Sequence, residues 1–249
     1  AAGSVTIMNA ETGQVLYEDA QHERRYPASI TKIMTALLVL ERVEDLSEPV
    51  TFSPGSVAIP WYASRAGMQP GDTLTVMDAL YALMLISGNE VAWALAEHVS
   101  GSIGAFTEEM NARAISLGAE NTRFINPCGL PGENQYTTSY DMALIMREAI
   151  QSPVFNRIIS TSSAYLPPTA SRETSRPMLN TNRLIREDSS DFNEWVVGGK
   201  TGFTNDAQHT LVTYSEIDGH PVIISLLYVT QRGAIFSDTS ALLEFVSSR

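Results

Sequence analysis

The 249 residues include 44% hydrophobic and 18% charged side chains, a globular balance that excludes a wholly disordered chain. A formal net charge of −12, from 28 acidic and 16 basic residues, argues against a general nucleic-acid binder, which needs a basic face. The single cysteine excludes an intrachain disulfide framework and a cysteine-rich zinc site, and no apolar run approaches the ~18 residues that span a bilayer.

Residues 4–9 and 14–18 read as two strands around a Glu11-Thr12-Gly13 turn. After Pro27, Thr31–Val43 has apolar residues at helical spacing and no glycine or proline, which predicts a buried helix starting near Ser29. Residues 49–75 are rich in Pro, Gly and Ser and read as loop with short pieces. Residues 76–86 and 90–99 read as helices on either side of Ser87-Gly88-Asn89, and 103–117 as a further helix ended by Gly118. Residues 119–137 form a long irregular loop. Thr138 stands three before Asp141, a capping-box pattern that opens a helix running to Ile150, which Ser152-Pro153 breaks. Residues 160–194 are polar and turn-rich; strands follow at 195–201, 209–217 and 222–229, with Asp218-Gly219 as a turn, and a last helix covers 236–247. Strands at both ends with helices between them predict an α+β fold. In it one antiparallel sheet, built from both chain ends, is flanked by the first and last helices. A helical subdomain at about 50–150 completes a cleft for a ligand.

Only two of the 16 basic residues are lysine, Lys32 and Lys200, and both stand in suggestive contexts. Lys32 follows Ser29 by three, so a helix beginning at Ser29 puts both on one face. A serine hydroxyl is a weak nucleophile until a neighbouring base takes its proton, and a lysine serves as that base only when burial or a second cation has lowered its pKa. The competing reading is a capping serine beside a solvated lysine. Lys200 lies in Gly198-Gly199-Lys200-Thr201-Gly202, at the end of a β-type run whose small residues let another backbone come close. A phosphate-binding P-loop is excluded there, because its spacing needs a glycine at 194 and Glu194 occupies that place. Ser87 and Asn89 lie on the hinge between two helices, where a cap and a helix start are the plain alternative.

Taken together, SxxK, SxN and KTG in this order use both lysines of the chain, and with them the sequence resembles the penicillin-recognising serine enzymes. It is most similar to the serine-type D-alanyl-D-alanine carboxypeptidases, the low-molecular-weight penicillin-binding proteins. The likeness extends to Ala10–Glu18, to Arg25–Ala36 around Ser29, to Phe124–Leu130 and to Thr138–Ala143. The resemblance implies a β-lactamase/transpeptidase-like fold and a single catalytic domain over 1–249. It also implies that the family's C-terminal β domain and a membrane anchor, which a full-length form would carry, are absent from this chain.

The implied activity is removal of the terminal D-alanine from peptidoglycan stem peptides, outside the cytoplasmic membrane. No metal or other cofactor is called for, and β-lactams would act as covalent inhibitors. By the same resemblance Ser29 is the nucleophile and Lys32, held neutral by burial and by Lys200, its base. Ser87 relays a proton, and Asn89 holds Lys32 or the substrate amide. Lys200, Thr201 and Arg232 bind the carboxylate. The strand around Gly202 pairs with the peptide, and the backbone of Ser29 and Phe203 receives the oxyanion. Class A β-lactamases share the three motifs, but the chain lacks their ExxLN-type loop and has Gly88 where they usually carry aspartate. Phe203, and Gln208 near the place of a family glycine, depart from the carboxypeptidase pattern, where 203 is often histidine. A β-lactamase, a non-enzymatic β-lactam or peptidoglycan sensor, and an endopeptidase stay open as alternatives. His22, His98, His209 and His220 show neither metal spacing nor a serine-histidine triad context, and Cys128 reads as a loop or core thiol.

Overall fold

The computed structural model describes residues 2–249. Its N-terminal hairpin pairs β1 (Ala2–Asn9) with β2 (Val15–Asp19), and the Asn9 carboxamide accepts from Glu11 and Thr12 N–H at 2.9 and 3.0 Å to hold the turn. A 3-10 turn (Ala28–Thr31) leads into α1 (Lys32–Arg42). The 49–75 stretch contains β3 (Pro49–Thr51), a single turn of helix α2 (Pro54–Val57) and β4 (Thr73–Thr75), the two strands pairing with each other. Next come α3 (Val76–Leu85), α4 (Asn89–Ser100), α5 (Ile103–Ser116), α6 (Ser139–Ala149) and α7 (Pro153–Ile159). A small hairpin of β5 (Ser163–Leu166) and β6 (Arg176–Leu179) precedes β7 (Val196–Thr204), β8 (Gln208–Ile217), β9 (His220–Val229) and α8 (Ala234–Ser247).

The main sheet runs β2-β1-β9-β8-β7, antiparallel throughout, so both chain ends build it and β7 is an edge. Its central strands are apolar on both faces because both faces are covered. Val222, Ile224 and Leu226 of β9 pack with Val5, Ile7, Ile235 and Leu243 under α8, while Ile223 and Leu227 join the larger core around α1 and the middle helices. Period-two alternation therefore explains an uninterrupted apolar run. On β1 the same alternation sends Ser4 and Thr6 toward α6, where both hydroxyls meet Ser139 Oγ, at 2.7 and 2.8 Å. The larger core continues through Ile33, Leu37, Leu80, Leu83, Val91, Leu95 and Phe106, all buried, so the helical layer is packed on α1 rather than tethered beside it.

Several turn signals have their expected physical form. Asp218 and Gly219 both have positive φ (50° and 81°), as a two-residue hairpin of the primed type requires. Gly118 (φ 81°) ends α5 in the left-handed region, and Thr138 Oγ1 accepts from Asp141 N–H at 3.0 Å to cap α6.

Other expectations are corrected. The α-helix does not begin at Ser29; the serine lies in the preceding 3-10 turn and caps nothing. Ser152-Pro153 ends one helix and also starts α7, with Ser152 as N-cap (Phe155 N to Ser152 Oγ, 3.2 Å) and proline in the first turn, where its missing N–H costs nothing. The 160–194 stretch holds the β5-β6 hairpin, whose short strands alternate too weakly to stand out. Among the described residues no helix is long and apolar enough to cross a membrane.

Candidate active site

Ser29, Ser87, Asn89, Thr201, Gly202, Phe203 and Arg232 line one open cleft of about 880 Å³ between the β7 edge and the helical layer. Lys32 and Lys200 are buried beside it, 0% and 1% exposed. All nine residues singled out in the sequence thus converge.

The turn that carries Ser29 is built under constraint. Ala28 holds a positive φ (53°) immediately before Ser29, a conformation that costs a non-glycine residue about 1–3 kcal/mol. Two glycines let neighbouring segments close on this turn. A Cβ on Gly129 would sit 1.8 Å from the Ala28 carbonyl oxygen, and one on Gly202 would sit 2.8 Å from Ser29 N and 2.4 Å from Thr210 Oγ1. Thr210 Oγ1 donates to the Pro27 carbonyl at 3.0 Å, which ties the turn to β8. The glycine of KTG is thus a packing requirement for bringing strand β7 against the serine.

Lys32 Nζ has three partners: Ser29 Oγ at 2.9 Å, Asn89 Oδ1 at 2.8 Å and the Cys128 carbonyl at 2.9 Å. These saturate its hydrogen-bonding capacity and aim it at the serine. Burial lowers its pKa to about 8, against an upward pull from Cys128 and Glu90. At pH 7 about a tenth of such a group is neutral, against almost none at the ordinary lysine value. Lys200 donates to the Thr201 carbonyl at 2.8 Å, and its pKa lies well below the ordinary value, first through burial and then through the charge of Lys32. This reverses one detail of the sequence reading. In the empty cleft Lys32 depresses Lys200; burial, not Lys200, depresses Lys32. Lys32 has three acceptors and the nearby Glu90 carboxylate to favour its charged form, whereas Lys200 has a single carbonyl.

Ser87 has a left-handed backbone (φ 59°), is 7% exposed, and its hydroxyl has no hydrogen-bond partner among the described residues. A Cβ at Gly88 would lie 2.8 Å from Val91 Cγ2 and 3.4 Å from Ala66 Cβ, so the middle position of SxN is closed to an aspartate unless the neighbours shift.

Two supporting residues were not visible in the sequence. Ser64 Oγ donates to the Ser87 carbonyl at 2.8 Å, and the Ser64 carbonyl accepts from both Asn89 N and Nδ2 at 3.0 Å, which fixes the amide with Oδ1 toward Lys32. Glu90 is buried, and its Oε1 accepts from Gly67 N at 2.7 Å. Ser64 lies in an irregular segment with no spacing to mark it, whereas Glu90 follows the motif directly and its burial was the missing information. Thr201 Oγ1 meets Thr181 Oγ1 at 2.6 Å. Phe203, 53% exposed, stacks on its cross-strand partner His209 with ring centroids 4.5 Å apart. Burial and the neighbouring Arg232 charge hold His209 below its ordinary pKa.

A serine within hydrogen-bonding reach of a buried lysine, set between an SxN hinge and an edge strand bearing KTG, defines the class: a serine hydrolase of the penicillin-recognising fold. Over residues 1–230 the chain matches the D-alanyl-D-alanine carboxypeptidase family, and it belongs to that family. Its type is accordingly the serine D-alanyl-D-alanine carboxypeptidase, a hydrolase. It is 35% identical to the D-alanyl-D-alanine carboxypeptidase DacF of Bacillus subtilis over 91% of this chain, and spans 57% of that relative's length. It is 31% identical to a D-alanyl-D-alanine endopeptidase of Escherichia coli over 100% of this chain and 78% of the relative. The crystal structure of a Streptomyces DD-transpeptidase superposes with a TM-score of 0.90 at 31% identity, covering 98% of this chain and 96% of that one. The α+β, transpeptidase-like fold expected from the sequence is therefore the fold of the protein.

Proposed function

We propose that Ser29 is the nucleophile with which this D-alanyl-D-alanine carboxypeptidase removes the terminal D-alanine of a peptidoglycan stem peptide. The observation that carries the assignment is the 2.9 Å contact between Lys32 Nζ and Ser29 Oγ, with Asn89 and the Cys128 carbonyl holding the amine in place. The substrate adds to edge strand β7 along Lys200–Thr204, its carboxylate held by Lys200, Thr201 and Arg232. That carboxylate stabilises the charged form of Lys200, and the new positive charge lowers the pKa of Lys32 further. Neutral Lys32 then takes the Ser29 proton as Oγ attacks the carbonyl carbon of the penultimate D-alanine. The oxyanion rests on the backbone N–H groups of Ser29 and Phe203. The amine of the departing D-alanine takes its proton through Ser87 Oγ, whose hydroxyl is otherwise unpartnered. Water releases the acyl group and restores Ser29.

β-Lactams, which offer a carboxylate beside a strained amide, acylate the same serine in this account. Peptidoglycan lies outside the cytoplasmic membrane, so the protein works there. Ser29→Ala abolishes D-alanine release while the circular-dichroism spectrum and melting temperature stay those of the parent; turnover retained by that variant would remove Ser29 from the mechanism. An endopeptidase is the second reading, favoured by similarity over 100% of this chain to 78% of the Escherichia coli relative of that name. Cleavage of cross-linked dimers faster than pentapeptide monomers would establish it.

A further inference from the structure

One side chain holds the loop behind Lys32 in shape. Asn126 Oδ1 accepts from Gly129 N at 2.7 Å and from Cys128 N at 3.2 Å, and Asn126 Nδ2 donates to the Leu130 carbonyl at 2.8 Å. A carboxamide that takes the amide protons two and three residues on closes a local turn, a role that suits the short side chain of asparagine. Thr35 Oγ1 of α1 donates to the Pro127 carbonyl at 2.6 Å and ties the same turn to the helix that carries Lys32.

The peptide unit joining Cys128 to Gly129 links this turn to the chemistry. It is trans and planar, so its N–H and its C=O point in opposite directions. The N–H is the one held by Asn126, and the carbonyl is the one that accepts from Lys32 Nζ at 2.9 Å. A hydrogen bond at the N–H also polarises the carbonyl and makes it a stronger acceptor. We propose that Asn126 is a positioning residue for acylation: by gripping one end of this peptide unit it aims the other end, the Cys128 carbonyl, at Lys32. The inference rests on the reading of Lys32 as the base of Ser29. Without Asn126 the Lys32 ammonium loses a well-aimed acceptor, so its charged form is less favoured and its amine is less well directed at Ser29. Glu90 of α4, Lys200 of β7 and the Cys128 thiol are the titratable groups around Lys32, and a substitution at Asn126 leaves all three in the chain.

The test is the pH profile of acylation by benzylpenicillin, read on the full chain as the second-order rate constant for adduct formation at Ser29. Asn126→Ala lowers the plateau about tenfold, the worth of one hydrogen bond to a charged group, and moves the acid limb down by about one pH unit. Asn126→Asp keeps the acceptor for Gly129 N–H and sets a negative charge one peptide unit from Lys32, so it retains the plateau within about threefold and moves the limb up. A purely structural role lowers the melting temperature and the fraction of chain that reacts but leaves the limb of Asn126→Ala where wild type has it, and that result overturns the proposal. Where Asn126→Ala fails to fold, Asn126→Asp decides: a limb that stays put or moves down overturns the proposal. A wild-type protein that shows no acid limb, or no adduct on Ser29, overturns the underlying reading as well, whereas a wild-type limb that neither variant moves overturns this inference alone.

Discussion

At the scale of the residue, the chemistry turns on one buried amine. With its pKa near 8, Lys32 imposes an acid limb on acylation: the second-order rate constant with benzylpenicillin rises as pH approaches about 8 and levels off above it. Glu90 raises that pKa, so Glu90→Gln, which keeps the Oε1 acceptor for Gly67 N–H, moves the limb to lower pH. A limb that stays put or moves upward would show that Glu90 does not act on Lys32. Lys200 makes a stability prediction whose sign is fixed by its lowered pKa. The unfolded group holds its proton more tightly than the folded one, so between the lowered value and the ordinary lysine value stability rises with pH and is lost as pH falls. Lys200→Met removes that cost, raises the melting temperature by about 2–4 °C for each kcal/mol gained, and flattens the pH dependence while it lowers acylation steeply. A melting temperature below wild type would mean the Lys200-Thr201 hydrogen bond outweighs burial. The residues of SxxK, SxN and KTG were legible because their types and spacings form the motifs, whereas Arg232 and Phe203 entered only through the family resemblance. Ser64 was not legible, because its contribution is a carbonyl and a single hydroxyl at the far side of a loop, and no residue type marks such a role.

At the scale of the element, the site depends on two close backbone approaches, at Gly129 and Gly202, that leave no room for a side chain. Gly129→Ala would place a methyl group 1.8 Å from the Ala28 oxygen in a left-handed backbone, so the loop must pull away from the nucleophile turn. The expected result is lost acylation together with a melting temperature lowered by several degrees; wild-type reactivity would mean the turn is not held by that loop. Ser64→Ala separates positioning from folding. It removes the hydroxyl's bond to the Ser87 carbonyl and its acceptance from Asn89 Nδ2 and leaves the Ser64 carbonyl's contacts to Asn89, so acylation slows several-fold with little change in melting temperature. The helices and principal strands were readable from apolar period, caps and turn residues. The misreadings share one cause, which is that short elements bury too little to leave a period. The 3-10 turn at Ser29, the seven-residue α7 and the β5-β6 hairpin are specified by contacts with α3, β7 and one another rather than by their own pattern.

At the scale of the whole molecule, both chain ends meet in one sheet, and the last strand of that sheet's order, β7, is left unpaired on one side where the cleft opens. An unpaired edge invites pairing with any extended chain, yet Gly202 and the half-buried Thr201 and Thr204 keep it narrow and place it under the helical layer, so a single peptide strand fits. Pairing of distant segments was predictable because strands lie at both chain ends with helices between them, so that one common sheet is the simplest assembly, and that sheet covers both faces of the apolar run at 222–229. The route by which Ser29, Ser87 and Lys200 meet was not predictable from local pattern, since it depends on the packing of the middle helices against α1. The central claim is that this packing arms Ser29 through Lys32. It is tested most directly by intact-mass spectrometry over time after addition of benzylpenicillin, with peptide mapping of the product. The account predicts one covalent adduct per chain, on Ser29, that outlasts the mixing time and is absent from Lys32→Ala. An adduct on another residue, an adduct undiminished in Lys32→Ala, or an unmodified protein beside intact penicillin would contradict it.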